Sequence, residues 1–351
     1  MPLRDNDNGA DERLTLTVGG VSHSDWTQFM VDASFITPAD AWHLSVGLDE
    51  QRLPSGVVSG ARATLSAGHD VIMTGLIDDI HHTVARGQHQ LTFNGRDNAA
   101  ALVDCSAPVF TAQHMTLAEV VDKIVRPLGI HRVTVHGHAS AAPKKFNIEP
   151  GETAWDALQK VAEVNGLWPW IAPDGELIIG GPDYYAAPVD TLSLYRDGSG
   201  NILSLTLTTS CAGRFSEVTV LAQSHGTEEH EGVTSRRATA SDDTFHLYRP
   251  FITVVSDADS DREADVRARK LLSDSRLKAL TITLSVRGMR TRHGVLWAPG
   301  QRVVVKSDIH GIDGVFFVMS RTFRGGRGIP LTTTLTLKED GVWIPDMPTA
   351  G

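Results

Sequence analysis

Three groups of residues have types and spacings that could do chemistry. His81-His82 and His136-Gly137-His138 could offer imidazoles to a metal, and Glu149, Glu152 and Asp156 could form a general acid–base pair. Gly325-Gly326-Arg327-Gly328 has the glycine density of a loop that cradles phosphate. Each reading meets a physical objection. Strand alternation puts His81 and His82 on opposite faces. His136 and His138 flank a loop glycine, and no cysteine or carboxylate accompanies either pair at ligand spacing. The three carboxylates surround a helix start, where capping and dipole pairing account for them. The glycine run lacks the Lys-Ser/Thr that follows a phosphate loop and falls in a hairpin between two strand patterns. Arg324 and Arg327 beside it are expected in a solvated turn or against a partner. The chain also has no Gly-x-Ser-x-Gly elbow. The expectation is a protein that is not an enzyme, with no catalytic, cofactor-binding or metal-binding residues.

Bulk properties narrow the class further. The 351 residues are 41% hydrophobic and 21% charged, enough for a sizeable core and two to four domains. A formal net charge of −10 argues against a surface that grips nucleic acid broadly. It leaves room for a channel that nucleic acid only passes through. Cys105 and Cys211 lack metal-type spacing and are expected as reduced thiols in or near the core. No run is long and apolar enough to span a bilayer, and the polar start MPLRDNDNGADER has no apolar signal core. Synthesis and folding in a cytoplasm, without Sec-type export or stable membrane association, are expected.

The elements that position these residues follow from periodicity. Residues 1–13 read as a flexible arm. Short alternating segments with turns such as Gly19-Gly20 and Gly68-His69-Asp70 then predict a β-barrel or sandwich over 14–103. The stretch Leu91–Ala107 is the joint: a strand that breaks at Gly95, a cap at Asp97 or Asn98, and a short Ala-rich turn. Residues 104–194 predict a small α/β module. Thr116 with Glu119 caps a helix over 117–125 that stops at Pro127, and Thr153 with Asp156 caps a second that ends at Gly166. Trp168 and Trp170 within this module are expected in a core strand. Strand patterns return at Ile202–Thr208 and Glu217–Ala222, and 223–255 are expected to form an exposed loop and a connecting strand. A helix from about Ser260 to Lys278 then opens a second barrel that runs to 345, followed by a tail over 346–351. A weak internal repeat relates Arg62–Asp97 to Arg302–Asp340, each reading as strand, turn, strand, turn, strand.

The joint GRDNAAALVDCSA resembles the segment that closes the first barrel in Mu-like phage tail proteins of the baseplate hub family (tail protein P). The stretches TLAEVVDKIVRPLGI, GETAWDALQKVAEVNGLWPW, DGELIIG, GRFSEVTVLA, TSRRATASDD, LYRP, ADVRARKLLSDSR and TRHGVLWAPGQRV agree in the same order, over roughly residues 70–305. The resemblance implies a mainly β protein with an inserted α/β module, after which residues 195–222 return to complete the first barrel. Two related barrel domains per chain would build a homotrimeric ring of pseudo-sixfold symmetry. It implies a structural hub of a contractile tail, adapting a hexameric tube to a trimeric spike around a central channel. The implied partners are tube protein, spike protein and other baseplate proteins, with no cofactor. On this reading Asp97 and Cys105 hold the junction together. The competing readings are a glycan- or receptor-binding tail-tip protein, with Trp168 and Trp170 as the contact aromatics, and a tail-associated cell-wall hydrolase.

Overall fold

A computed structural model describes residues 12–47, 56–113, 115–136, 145–164, 166–222, 236–255 and 260–343. The alternating N-terminal segments form β1 (Leu14–Val18), β2 (Val21–His23), β3 (Gln28–Ser34), β4 (Ala41–Gly47), β5 (Arg62–Ala67), β6 (Asp70–Ala85) and β7 (Gln88–Asp97). Their burial alternates with period two, so Leu14, Leu16, Leu44, Leu65, Leu91 and Phe93 all face inward. The strand does not break at Gly95, which pairs with Trp42 inside β7. A Cβ on Gly95 would lie 2.2 Å from the Trp42 ring and 2.2 Å from the Leu76 carbonyl. This glycine serves a close approach of backbone to indole rather than a turn.

The α/β module follows: α1 (Ala100–Asp104), β8 (Thr111–Gln113), α2 (Leu117–Val125), β9 (Val133–Val135), β10 (Lys145–Asn147), α3 (Ala154–Val164), β11 (Trp168–Ile171) and β12 (Leu177–Gly180). The capping box is present. Thr116 Oγ1 accepts from the Glu119 N–H, and Glu119 Oε2 accepts from the Thr116 N–H at 2.7 Å. Gly129, at φ 84°, ends the short 3-10 turn beyond α2. Val120, Val121 and Ile124 of α2 meet Ala154, Leu158 and Val161 of α3 in a core separate from that of the β-sheet.

The rest of the chain comprises β13 (Thr191–Ser193), β14 (Ile202–Thr209), β15 (Glu217–Ala222), β16 (Arg236–Ser241), β17 (Pro250–Val255), α4 (Asp261–Leu277), β18 (Leu280–Arg287), β19 (Arg302–Ser307), β20 (Ile312–Gly326) and β21 (Ile329–Glu339). Three expectations change here. β14 does not complete the first strand set; it pairs antiparallel with β18, in the second. β15 joins neither set and forms a three-stranded sheet with β16 and β17. α4 covers that small sheet, laying Ala264 and Ala268 on Val220 and Ala222. The polar segment expected as a loop is therefore partly a strand. Arg236–Ser241 satisfies its backbone against β15 despite its hydrophilic side chains, because only its alternate residues need face α4. Residues 1–11, 223–235 and 344–351, which include most of the expected arm and loop and all of the tail, lie outside the described residues.

The two expected strand sets are present but fused. One thirteen-stranded sheet runs β14-β18-β21-β20-β3-β4-β7-β6-β5-β1-β2, with β19 beside β20 and β13 beside β19. Among the described residues it does not close on itself. A single core draws Leu44, Leu65 and Phe93 from the first set and Ile282, Leu284 and Leu335 from the second.

Candidate assembly interface

The fusion of the two sets depends on the length of β20. One edge of β20 pairs with β21, from Phe316↔Glu339 to Gly326↔Ile329. The other edge is shared. Its first half pairs with β19 and ends at Arg302↔Phe317. Its second half pairs with β3, from Ser320↔Ser34 to Gly325↔Phe29. Phe323 and Val31 sit opposite each other at this joint, both 0% exposed. Gly325 leaves room for Phe29, since a Cβ there would stand 2.7 Å from the Phe29 ring. At the rim Arg327 forms an ion pair with Asp25 at 2.8 Å, both side chains being largely exposed.

A charged cluster is buried beneath the joint. Arg321 is 3% exposed, donates from Nη1 to the Val31 carbonyl at 2.9 Å, and stacks its guanidinium 3.9 Å from the Phe323 ring centroid. Its Nε has no hydrogen-bond acceptor among the described residues. Burial lowers the Arg321 pKa to about 10, against the opposing pull of Asp40 and Asp32. Asp40 accepts from the Ser34 N–H at 2.7 Å, and the Asp97 N–H donates to the Asp40 carbonyl at 2.9 Å. Burial first, and then the neighbouring Asp97 charge, raise the Asp40 carboxyl well above its ordinary range. Asp97 accepts from the Ala99 N–H at 2.8 Å and so caps the exit from β7, while burial raises it to about 7. The capping role of Asp97 was legible in the sequence. The partnership with Asp40 and Arg321 was missed, although Arg321 shares its strand face with Phe323, two residues on, and that parity marks an arginine turned inward.

The other candidate residues do not converge. His81 and His82 point to opposite faces, and His82 instead meets His89, with Nε2 atoms 2.5 Å apart and rings stacked. His138 lies outside the described residues. No group of three or more His, Cys, Asp or Glu side chains placed to hold a metal occurs among the described residues. Glu149, Glu152 and Asp156 line a shallow cleft of about 400 Å³ with Gln159, Lys160 and Glu163. Their roles there are local: Glu152 pairs with Lys160 at 2.6 Å, and the Asp156 N–H donates to Thr153 Oγ1 at 3.1 Å. Trp168 is 8% exposed and donates from its indole to the Phe35 carbonyl. Trp170 packs edge-on to Phe35, so these aromatics bind the module to the sheet rather than line an open groove. The glycine run is the β20–β21 turn. Both cysteines are exposed, contrary to the expected buried thiols. Cys105 holds the junction only through its backbone, whose carbonyl accepts from the Ala154 N–H at 2.9 Å. Backbone placement at a chain exit does not require a side chain to be inside.

The internal repeat is now visible in register. β5-β6-β7 and β19-β20-β21 have the same pairing, with Arg62↔Leu76 matching Arg302↔Phe317. Each long strand has a bulge at the same place against its hairpin partner, between Ile77 and Asp79 in β6 and between Val318 and Ser320 in β20. Ahead of the bulge the backbone closes identically: the Gly60 N–H donates to the Ile77 carbonyl, and the Gly300 N–H to the Val318 carbonyl. β4 and β18 then flank β7 and β21, and β3 and β14 lie beyond them. Two five-stranded units therefore repeat within one chain.

Four family profiles match consecutive parts of the chain. They are Mu phage baseplate assembly protein GpP-like, N-terminal, at 13–97; baseplate hub protein gp44-like, second domain, at 99–181; tail protein NMB1110-like, third domain, at 214–272; and tail protein, C-terminal domain, at 274–342. The chain is 27% identical over 321 residues to the baseplate hub protein gp44 of Escherichia phage Mu, covering 88% of this chain and 82% of that one. The crystal structure of the tail protein from Neisseria meningitidis MC58 is 39% identical with a TM-score of 0.84, covering 95% of this chain and 98% of that one. The 43 kDa tail protein of prophage MuSo2 from Shewanella oneidensis has the same fold at 23% identity and a TM-score of 0.81, covering 94% of this chain and 99% of that one.

Proposed function

This chain belongs to the Mu-like phage baseplate hub proteins, structural components of the virion tail and not enzymes, and we propose from that premise that three copies form a ring at the tip of a contractile tail. The ring joins a hexameric tail tube on one face to a trimeric spike on the other and leaves a central channel. Other baseplate proteins dock around it, and DNA does no more than pass through. Assembly takes place in the cytoplasm of the bacterial host.

The observation that carries this reading is the two-fold repetition of a five-stranded unit within one chain, with matched register and matched bulges. Three chains then present six near-equivalent units, which is what a sixfold tube needs to seat on. The departures between the two units, together with the α/β module and the β15-β16-β17 sheet, leave only threefold equivalence elsewhere, which suits a trimeric spike. An acidic chain also fits a channel that must not retain nucleic acid. The test is assembly. Purified protein added to its tail tube protein should shorten the lag before tubes appear and cap one end of each tube. Tubes that form at the same rate, with no hub at either end, would exclude the adaptor role.

A further inference from the structure

We propose that the subunits of the ring are joined by pairing the distal half of β6 of one chain, Asp79–Val84, antiparallel to β14 of the next, Leu205–Ser210. This rests on the ring reading above and specifies its contact. The molecule's own internal joint supplies the pattern. β3 and β14 occupy equivalent places in the two units, since Phe29↔Leu44 in the first corresponds to Leu205↔Leu284 in the second. β20 and β6 are likewise equivalent, yet only one of the two possible joints is made inside the chain. β20 receives β3 beyond its bulge. β6 has no strand on the matching edge beyond Ile77, and β14 has none on its outer edge, among the described residues. An open chain of two units must leave one such half-joint at each end. Carrying the register of Arg321↔Ala33, Phe323↔Val31 and Gly325↔Phe29 across the repeat gives Ile80↔Thr209, His82↔Leu207 and Val84↔Leu205.

The chemistry of the two edges fits this use. Val84 is 70% exposed and His82 is exposed, while the residues at their positions in the internal joint, Gly325 and Phe323, are buried. Side-chain sizes compensate. The internal joint sets glycine against phenylalanine, and the proposed one sets valine against leucine. β14, with the sequence ILSLTLTT, is an eight-residue edge with no charge and no proline. Natural monomers guard such an edge because it templates pairing, so an unguarded one calls for a partner strand. The contact is head-to-tail, using different surfaces on the two subunits, and therefore closes only as a ring.

The test replaces Cys105 and Cys211 by serine and introduces Thr83→Cys and Thr206→Cys, which the register sets opposite each other within disulfide reach. Mild oxidation should give covalent dimers and trimers, and Thr83→Cys alone should give neither. In a separate variant Val84→Lys, exposed in the free chain, should leave folding unchanged and abolish the trimer. A trimer that forms without cross-linking and survives Val84→Lys would overturn the pairing and leave the ring standing. A cross-linked ladder extending well beyond three chains would support the pairing and overturn threefold closure. A monomer at every concentration, with no cross-link, would overturn both.

Discussion

Asp97 ties the first strand set to the module through a carboxylate that burial holds near pKa 7, far above its ordinary 3.8. The folded chain therefore keeps a proton that the unfolded chain has released between those values. Stability from this group is fully present below about pH 4 and is lost as the pH rises toward 7. Asp97→Asn keeps an acceptor for the Ala99 N–H and removes the charge, so urea unfolding of this variant should lose that pH dependence. Its gain over the parent should be larger at pH 8 than at pH 5. Arg321 is the counterweight to Asp40. Arg321→Met removes the charge that faces the half-buried Asp40 and the hydrogen bond to the Val31 carbonyl, and should cost about 1–3 kcal/mol. The double change Arg321→Met with Asp40→Asn should recover most of that loss, and a purely additive pair of losses in denaturation curves would refute the coupling. At this scale the sequence was only partly readable. Asp97 stands before a helical run and so announces a cap. Asp40 and Arg321 are 281 positions apart, and their meeting depends on a strand register that no local pattern encodes.

Elements were the most legible scale. The capping box at Thr116 and Glu119 and the serine cap of α4 are local hydrogen-bond devices, so they form wherever the residues occur in that order. Thr116→Ala should destabilise the module by roughly 0.5–2 kcal/mol, seen as faster hydrogen exchange in α2 while the large sheet stays protected. The repeat of Arg62–Asp97 in Arg302–Asp340 could also be read, because turn spacing survives when identity does not. Strand partnership could not. β14 alternates like any half-buried strand, and nothing in ILSLTLTT says that Leu280–Arg287 rather than the first strand set is its neighbour. Gly95 shows the same limit. A glycine in a strand pattern marks either a break or a close approach, and only the indole of Trp42 across the ladder decides between them. Gly95→Ala should cost about 1–3 kcal/mol or more from overpacking, with thermal unfolding as the measure, because both the Trp42 ring and the Leu76 backbone must give way.

At the scale of the whole molecule, the proposed function rests on how an open sheet is completed. The described residues hold two like units, one made joint between them, and an unpaired strand edge at each of the two places where that joint could recur. On the proposed reading further copies of the same chain pair with those edges. The three-stranded sheet with α4 and the α/β module add surface that breaks the sixfold likeness. The α/β module is marked in the sequence as a separate body by its caps and turns, whereas the three-stranded sheet with α4 is not, because its strands and helix read as parts of the two larger strand sets. The direct measurement is the mass of the purified chain in solution together with averaged electron-microscope images of the same particles. Three chains per particle, a threefold ring with an open pore, and six similar lobes on one face are the expected result. Particles that remain single chains at all concentrations, or a closed assembly with no pore, would contradict it.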